Sequence, residues 1–320
     1  MFTGNQAISI LNNEIGRKDP YESSHWEYFN RNIEYKNNKL KGYKGFGDSS
    51  YRLLGTNNFL HYLFQYPFRK EGINYKNFKK YEKYARKISL KQKRCYDINC
   101  LRQTLTLSYL NKNKEEIKDI IKQDPVCCII GDGFGFMTSL LIESNISRKI
   151  YLVNLSKVLL IDLIFLKKTF GEKIFNSKVH LVTNKNDLNK AEKITSEDNG
   201  IQIIAIEAKN YDLIQYCNFN FVMNIHSMQE MNHKIIEMYF NFIRKSRADK
   251  ILFYCCNRVS KKLFDGTELK FDEYYWKKND NIIFDEICPL WNQKTYMSKP
   301  PFYVNYDGKN KHRLVFLSKI

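Results

Sequence analysis

Two side chains that can accept a proton, His226 and Glu230, lie four residues apart in the segment Asn224–Met231. Histidine changes its charge close to neutral pH and a carboxylate is a proton acceptor, so either could act as a general base. His312, near the end of the chain, is a third candidate. Structural alternatives exist for the first two. His226 could make a loop hydrogen bond, and Ser227 with Glu230 matches the capping-box pattern of a helix start.

A loop with glycine at every second position, Gly131, Gly133 and Gly135, follows an apolar run and precedes a helical pattern. Glycine lets the backbone turn tightly, and a strand-to-helix turn at the carboxyl edge of a parallel sheet is where cofactors bind. The dinucleotide fingerprint requires a small residue at the sixth position, where this chain has Phe136. The pattern therefore favours S-adenosylmethionine over NAD, and a simple tight turn is the alternative. Asp132, inside the loop, is expected to contribute to cofactor binding.

Strand and helix patterns alternate from about residue 112 onward, which predicts a parallel α/β sheet. Only a long aromatic and polar connection joins the last two strands, so the final strand is predicted to be antiparallel. By fold analogy this is the Rossmann-like sheet of class I S-adenosylmethionine-dependent methyltransferases. The predicted strands are 126–130, 149–153, 178–182, 201–206, 220–225, 250–256, 282–287 and 313–317; the helices are 114–122, 137–143, 157–170 and 229–245; and 184–200 is interpreted as an insertion.

The second predicted strand ends at Asn154, where an acidic residue would accept hydrogen bonds from ribose hydroxyls. An amide oxygen still accepts, but it carries no charge. Ile129 likewise stands where many methyltransferases of this fold have an acid, and Asp132 could compensate in part. These positions motivate the alternative of a binding or scaffold protein that does not catalyse.

Polar clusters follow the later strands, at Asn224–Met231, Asn257–Arg258, Asp285–Glu286 and Tyr306–Arg313. If the last strand is antiparallel, all four clusters lie at the sheet edge that carries the glycine loop. The sequence therefore predicts one site at this edge.

At these residues the chain resembles the sugar O-methyltransferases found in bacterial surface-polysaccharide gene clusters. The matching pieces lie within about residues 120–320 and are GDGFG (131–135), NIHSMQEM (224–231), CNR (256–258), PPFY (300–303), YDG (306–308) and HR (312–313). The resemblance implies S-adenosylmethionine-dependent methyl transfer to a hydroxyl of a sugar, nucleotide-sugar or lipid-linked glycan. The family usually has Asp-Leu-Pro where this chain has Asn154-Leu155-Ser156.

The predicted site combines three roles. His226 is the first candidate for taking the hydroxyl proton, His312 the second and Glu230 the third. Arg258 and Arg313 could bind a phosphate or carboxylate of the acceptor, or instead pair with nearby acids. Tyr303 could stack on a sugar ring, although core packing explains an aromatic residue nearly as well. The predicted cofactor-binding residues are Gly131, Asp132, Gly133, Gly135, Asn154 and Asn224, and the predicted substrate-binding residues are Arg258, Tyr303, Asp307 and Arg313.

The charge is strongly positive and uneven. The chain has 52 basic and 34 acidic residues, a formal net charge of +18, and the stretch from Arg69 to Arg94 has 11 basic and 2 acidic residues. Such a surface attracts polyanions, whether nucleic acid, a nucleotide-sugar, a phosphate-bearing glycolipid or an anionic membrane. A solvated basic helix is the alternative. The sequence predicts a helical N-terminal region over 1–115 without a strand series, covering the substrate side of a methyltransferase domain over 116–320.

The composition bears on where the protein is located and on whether it binds a metal. No apolar run approaches the roughly 20 residues that span a bilayer, and the start of the chain lacks a signal-peptide pattern, so we expect a cytoplasmic protein. The eight cysteines show no metal-ligand spacing and are expected to be structural. No metal is predicted, peripheral membrane contact stays open, and nucleic acid is the less favoured acceptor. The three hypotheses are thus a sugar O-methyltransferase, a nucleic-acid methyltransferase and an inactive scaffold.

Overall fold

The structure is a computed structural model that describes residues 1–17, 19, 21–29, 32–37, 39–42, 55–111, 124–197, 200–291, 294–297, 299–305 and 308–320. The helices are α1 (Gly4–Glu14), α2 (Ser24–Phe29), α3 (Gly55–Phe64), α4 (Tyr66–Ile73), α5 (Phe78–Lys91), α6 (Ile98–Leu110), α7 (Phe136–Glu143), α8 (Ser156–Phe170), α9 (Glu172–Lys178), α10 (Lys185–Glu197) and α11 (His233–Arg244). The strands are β1 (Phe2–Thr3), β2 (Glu34–Lys36), β3 (Lys39–Lys41), β4 (Cys127–Ile130), β5 (Lys149–Asn154), β6 (Val179–Val182), β7 (Gln202–Glu207), β8 (Phe221–Ile225), β9 (Ile251–Arg258), β10 (Ser260–Lys262), β11 (Glu268–Lys270), β12 (Asn281–Ile287), β13 (Lys294–Tyr296), β14 (Tyr303–Asn305) and β15 (Asn310–Leu317).

Nine strands form one sheet in the order β1-β6-β7-β5-β4-β8-β9-β15-β12. The strands from β6 to β9 run parallel, whereas β15 runs antiparallel to both β9 and β12. Successive strands are added on both sides of β4, so the sheet has a topological switch point at the carboxyl end of β4. The predicted Rossmann-like α/β sheet with a terminal antiparallel strand is confirmed.

Continuous apolar sequence explains why these strands are central, because a parallel strand covered on both faces needs apolar side chains on both. In β4, Cys127 and Ile129 join one hydrophobic cluster, while Cys128 and Ile130 join the cluster on the other face. All eight cysteines are free and buried, so in β4 and β9 they act as small hydrophobic residues.

Within the described residues the N-terminal region is mostly helical, and its strands are two or three residues long. Residues 2–3 form β1, which pairs antiparallel with β6 at the sheet edge, and β2 and β3 form a separate hairpin. Apolar residues of α1, α5 and α6 share one hydrophobic cluster with the central sheet. The predicted boundary at 115/116 and the predicted helix at 114–122 lie outside the described residues.

The stretch interpreted as an insertion is the crossover between two strands of the sheet. Helix α10 connects β6 to β7, and both strands run parallel in the sheet. Strand β7 pairs with β5 on one side and with β6 on the other, so β7 lies between them in the sheet. The polar sequence of α10 is that of an amphipathic helix with one face on the sheet.

One buried ion pair joins α11 to the C-terminal strands. Arg244 donates to both carboxylate oxygens of Asp280, at 2.6 and 2.7 Å, and also to the carbonyl of Ser318 at 2.8 Å. Because removal of one partner leaves a buried charge, we expect Arg244→Met to lower the free energy of unfolding by about 3–5 kcal/mol in urea denaturation. Arg247→Met is the matched control, since Arg247 pairs at the surface with Glu192 and should change stability by less than ~1 kcal/mol.

The same pair predicts a pH dependence. Burial tends to raise the pKa of Asp280, but hydrogen bonds from Arg244, Lys277 and Ser318 outweigh it and lower the pKa to about 2. A carboxylate with a depressed pKa stabilises the fold above its unfolded pKa, and this contribution is lost as pH falls from about 4 towards 2. If the free energy of unfolding of Arg244→Met falls by as much as that of the wild type over this pH range, the ion pair is not the source of the pH dependence.

Candidate functional site

A cavity of about 340 Å³ lies at the carboxyl ends of β4, β5, β8 and β9, a size typical of small-molecule sites. It is lined by residues from the glycine loop, from the ends of these strands and from the N-terminal region. The structure brings together seven of the predicted site residues at its wall, namely Gly131, Asp132, Gly133, Asn154, His226, Glu230 and Arg258.

The glycine loop has the backbone that its sequence indicates. Gly131, Gly133 and Gly135 all have positive φ, at +77°, +91° and +57°. A Cβ added to Gly131 would lie 2.1 Å from Ser227 Oγ, so the loop packs directly against the segment that follows β8. Gly135 begins α7 and packs on Leu166, outside the cavity wall. Gly133 lines the cavity and, with a φ of +91°, has a conformation that residues with a side chain rarely adopt.

The loop is held by the partly buried carboxylate of Asp132 and the buried carboxylate of Asp162. Asp132 accepts hydrogen bonds from the backbone N–H groups of Met137 and Thr138, at 2.9 and 2.7 Å, and so binds the start of α7. Asp162, on α8, accepts from the backbone N–H of Gly135 at 2.9 Å. Burial raises the pKa of both, and the charge of Asp132 raises that of Asp162 further. Sequence reasoning missed Asp162, although an acid within an apolar helix was a usable signal.

Asn154 has a structural reason to be an amide. Its Nδ2 donates to Asp162 at 2.8 Å, and its Oδ1 accepts from the backbone N–H of Leu155 at 3.0 Å. An acidic residue at this position would place a second carboxylate against Asp162, which like-charge repulsion disfavours. Asn154, which stands where an acidic residue was expected, therefore fits the hydrogen bonds that it forms with Asp162 and Leu155.

A second, smaller cavity of about 20 Å³ adjoins the first and shares Gly131, Asn154 and Ser227 with it. Its volume corresponds to about one water molecule. The remaining wall is largely apolar and includes Leu155, Ala208 and Tyr239. Tyr21 also lines it, with its ring edge-on to that of Tyr211 at 5.1 Å.

His226 follows β8 in a left-handed conformation, with φ of +61°, which is uncommon for a residue with a side chain. Its backbone N–H donates to the carbonyl of Cys256 at 2.8 Å, and its ring lies on Trp291 with centroids 4.1 Å apart. Burial lowers the pKa of His226 well below 6.5, and the positive charges of Arg102, Arg258 and Lys261 lower it further. The imidazole is therefore neutral at pH 7 and can accept a proton.

Glu230 faces the cavity rather than capping a helix. Its Oε1 lies 3.1 Å from Lys261 Nζ and 3.4 Å from His25 Nε2, and no side-chain cap bond is formed at Ser227. Burial lowers the pKa of His25, against the opposing effect of Glu230. His25 and its neighbour Trp26 come from α2, and sequence reasoning missed both because no spacing links them to residues 200 positions away.

Two further cavity residues, Arg94 and Gln103, were also missed. The Arg94 guanidinium lies 3.8 Å from the centroid of Phe134 and 3.8 Å from Asp97 Oδ2, and its side chain is almost fully buried. Arg94 Nε and Gln103 Oε1 are buried and have no hydrogen-bond partner among the residues that the structure describes. A cation that donates and an amide oxygen that accepts are the groups that would bind the carboxylate and ammonium of an amino acid. The cavity wall thus fits the methionine part of S-adenosylmethionine.

Other residues predicted at the site, including His312 and Arg313, lie elsewhere. His312 is buried between Tyr254, 3.2 Å from its Nδ1, and Glu286, 3.3 Å from its Nε2, and it does not line the cavity. Arg313 pairs with Asp285 at 2.7 Å, the alternative that its sequence position left open.

The side chain of Tyr303 packs against Phe64 and Phe68 and donates to the carbonyl of Phe64. Asn224 is buried behind the glycine loop, where it donates to the carbonyl of Ile130 at 2.8 Å. It therefore positions the loop instead of lining the cavity. Asp307 lies outside the described residues.

Neither a metal-binding cluster nor a membrane-spanning helix occurs within the described residues. No group of three or more His, Cys, Asp or Glu side chains could hold a metal ion. No helix in the described part of the chain is long and apolar enough to cross a membrane.

No protein-family model matches this chain, and no curated protein matches it in sequence. Among solved structures, the chain is similar to an S-adenosylmethionine-dependent methyltransferase from Clostridium acetobutylicum (12% identity, 63% of this chain and 89% of that one, TM-score 0.30). It is also similar to TrmK of M. capricolum in complex with S-adenosylhomocysteine (12% identity, 65% and 70%, TM-score 0.33). TehB from Haemophilus influenzae is a third such structure (8% identity, 68% and 67%, TM-score 0.33). The likeness is one of fold alone.

Proposed function

We propose that this chain is an S-adenosylmethionine-dependent O-methyltransferase that acts on a hydroxyl of a sugar bearing an anionic group. The observation that carries the proposal is a single cavity at the switch point of the sheet. Gly133, neutral His226 and the cationic Arg258 line it. So do Arg94 and Gln103, whose Nε and Oε1 atoms are buried without a hydrogen-bond partner among the described residues. Such an arrangement would hold a charged cofactor beside a proton acceptor.

The cofactor would extend across both cavities. Arg94 and Gln103 would hold its amino-acid end, and the glycine loop would let it approach the backbone. The apolar wall of the smaller cavity, with Leu155 and Ala208, would receive the purine ring once Tyr21 moves aside. Asn154 borders both cavities and would contact the ribose.

The acceptor side of the cavity supports a sugar with a phosphate or carboxylate. Trp26 and Phe29 offer flat apolar faces on which a sugar ring can stack. Arg258 and Lys261 supply positive charge to an anionic group, as a nucleotide-sugar or a lipid-linked glycan would need. The buried free thiols support a reducing compartment such as the cytoplasm.

When bound, S-adenosylmethionine supplies an electrophilic methyl group on a positively charged sulfur. His226 would accept the proton of the attacking hydroxyl through its neutral ring, whose orientation Trp291 fixes by stacking. An imidazole with a lowered pKa still suffices, because a hydroxyl oxygen that is gaining a methyl group becomes strongly acidic. Glu230 would hold Lys261 and His25 at the acceptor side.

The N-terminal region would cover the substrate side. The Ser23 hydroxyl donates to the carbonyl of Glu230, and the His25 ring lies on Phe264 of the segment between β10 and β11, with centroids 5.8 Å apart. These contacts hold α2 over the cavity, where it would exclude water during the reaction.

We expect Arg94→Gln to weaken S-adenosylhomocysteine binding about 10- to 100-fold, since a hydrogen bond to a charged group contributes about 1.5–3 kcal/mol. Isothermal titration calorimetry measures this change. Arg86→Gln is the matched control, because Arg86 belongs to the same basic stretch but pairs with Glu82 away from the cavity. Equal losses in both variants would show that Arg94 acts through net charge and not as a ligand.

The reaction itself is tested with S-adenosylmethionine labelled in the methyl group and a panel of nucleotide-sugars and unmodified RNA. We expect label in the sugar fraction, stable to base as an ether is, with little effect of salt. Label in RNA, falling steeply with salt, would support the nucleic-acid alternative. Cofactor binding without transfer to any acceptor would instead favour the non-catalytic scaffold.

A further inference from the structure

Helices α3 and α4 present large apolar side chains to solvent on the surface away from the cavity. Phe59 is 61% exposed and Tyr66 59% exposed, and Leu60, Tyr62 and Leu63 between them are also exposed. His61 of α3 and Phe68 of α4 are buried on the other side, so the exposed residues form one face. Runs of exposed apolar residues of this kind mark interaction sites more often than ordinary surface.

The hairpin of β13 and β14 extends this face. Phe302 stacks on Phe64 of α3 with ring centroids 5.5 Å apart, and both Phe302 and Met297 are about half exposed. The backbone N–H of Met297 donates to the carbonyl of Phe302 at 2.9 Å, which fixes the hairpin end that bears both side chains. Two separate elements therefore contribute apolar groups to one surface.

Positive charge is built into the same surface. Lys70 Nζ lies 5.1 Å from the ring centroid of Tyr66, and the Arg69 guanidinium lies 4.4 Å from that of Tyr62. Helix α5 continues the charge with exposed Lys79, Lys80 and Lys83. Glu82 pairs with Arg69 and Arg86, so the charge of this face comes mainly from the lysines.

We propose that this aromatic–basic face, formed by α3, α4, the start of α5 and the β13–β14 hairpin, binds the surface of an anionic phospholipid bilayer. Apolar side chains on short helices can enter the interface while neighbouring lysines contact anionic headgroups. The helices have 10 and 8 residues, so they can lie on a bilayer but not cross it. Aliphatic Leu60 and Leu63 favour a bilayer over nucleic acid, whose interfaces are polar.

The test uses the full chain and sedimentation with vesicles of pure phosphatidylcholine or of phosphatidylcholine with 30 mol% phosphatidylglycerol, a composition of about one-third anionic lipid. We expect binding to the anionic vesicles alone, weakened by salt. The triple substitution of Lys79, Lys80 and Lys83 to Gln should reduce the partition coefficient roughly 100-fold, at about fivefold for each lysine. Leu60→Ser with Leu63→Ser should reduce it about tenfold or more with the charge unchanged.

The matched control replaces Lys173, Lys185 and Lys190 by Gln, the same loss of charge on α9 and α10, and should retain most of the binding. Equal losses in the control and the α5 variant would overturn the proposal, since binding would then follow net charge. Absence of binding to the anionic vesicles would also overturn the proposal. So would a loss of RNA affinity, with vesicle affinity retained, when Leu60 and Leu63 are replaced. Thermal melts of all variants verify that each remains folded.

Discussion

Gly133→Val is expected to abolish S-adenosylhomocysteine binding, with an affinity loss of more than about 100-fold. Gly133 lines the cavity and has φ of +91°, a conformation that a β-branched residue does not adopt without strain. The valine side chain would occupy space that the ligand needs, and the loop would shift to relieve the strain. Calorimetric titration measures the loss of affinity.

Gly171→Val is the control variant that separates loss of ligand binding from loss of protein stability. Gly171 also has a positive φ, +81°, between α8 and α9, and an added Cβ would meet nothing within 4 Å. Both variants should lose stability by about 1–3 kcal/mol from backbone strain, while only Gly133→Val should lose the ligand. Retained affinity in a folded Gly133→Val protein would mean that the glycine loop is a structural turn and not part of a cofactor site.

The second large effect concerns His226. We expect His226→Ala to lower kcat about 100-fold or more, the range for loss of a positioned general base, with S-adenosylhomocysteine affinity nearly unchanged. Because the pKa of His226 is lowered well below 6.5, its ring is already neutral at pH 6.5. The wild-type rate should therefore be flat from pH 6.5 to 8 as far as this group is concerned, and should fall only at more acidic pH.

His233→Ala is the matched control for His226→Ala. His233 lies at the start of α11, where its Nε2 is 2.9 Å from the carbonyl of Glu268, outside the cavity wall. Its loss should leave kcat within about twofold. Unchanged turnover in His226→Ala would remove His226 as the base and direct attention to the His25–Glu230 pair, which lines the same cavity.

The sheet could be predicted because its strands are buried on both faces. Runs such as those of β4 and β7 are apolar at nearly every position, which is typical of parallel strands between two helical layers. The sequence predicts no helix between the last two strands, β12 and β15, and for this reason the final strand was expected to run antiparallel. Helix α10 was misinterpreted because its exposed side is polar and charged, so its amphipathic pattern resembled a surface insertion.

The exact wall of the site depends on tertiary contacts that no local pattern contains. The amide at position 154 is explained only by its hydrogen bond to Asp162, which lies in α8. His312 and Arg313 were expected at the cavity from the direction of β15, and that strand does run antiparallel. Their side chains nevertheless pair with Glu286 and Asp285 on the edge strand β12, which removes them from the cavity.

The N-terminal contributions lie beyond sequence reasoning for a related reason. His25 and Arg94 meet β8 and the glycine loop only because the chain folds back over the sheet edge. A charged residue in a basic stretch gives no sign that it is buried. The near-complete burial of Arg94 is visible only in the folded protein.

The most direct test of the central claim is a thermal-shift titration of the wild-type protein with S-adenosylhomocysteine at several concentrations. A ligand that binds only the folded state adds about 2.7 kcal/mol of stability at 100-fold excess over its Kd. We predict an upward shift of Tm that follows this dependence and is absent in Gly133→Val. No shift in a wild-type protein that melts cooperatively would contradict the account, because the cavity between the glycine loop and His226 would then not be a cofactor site.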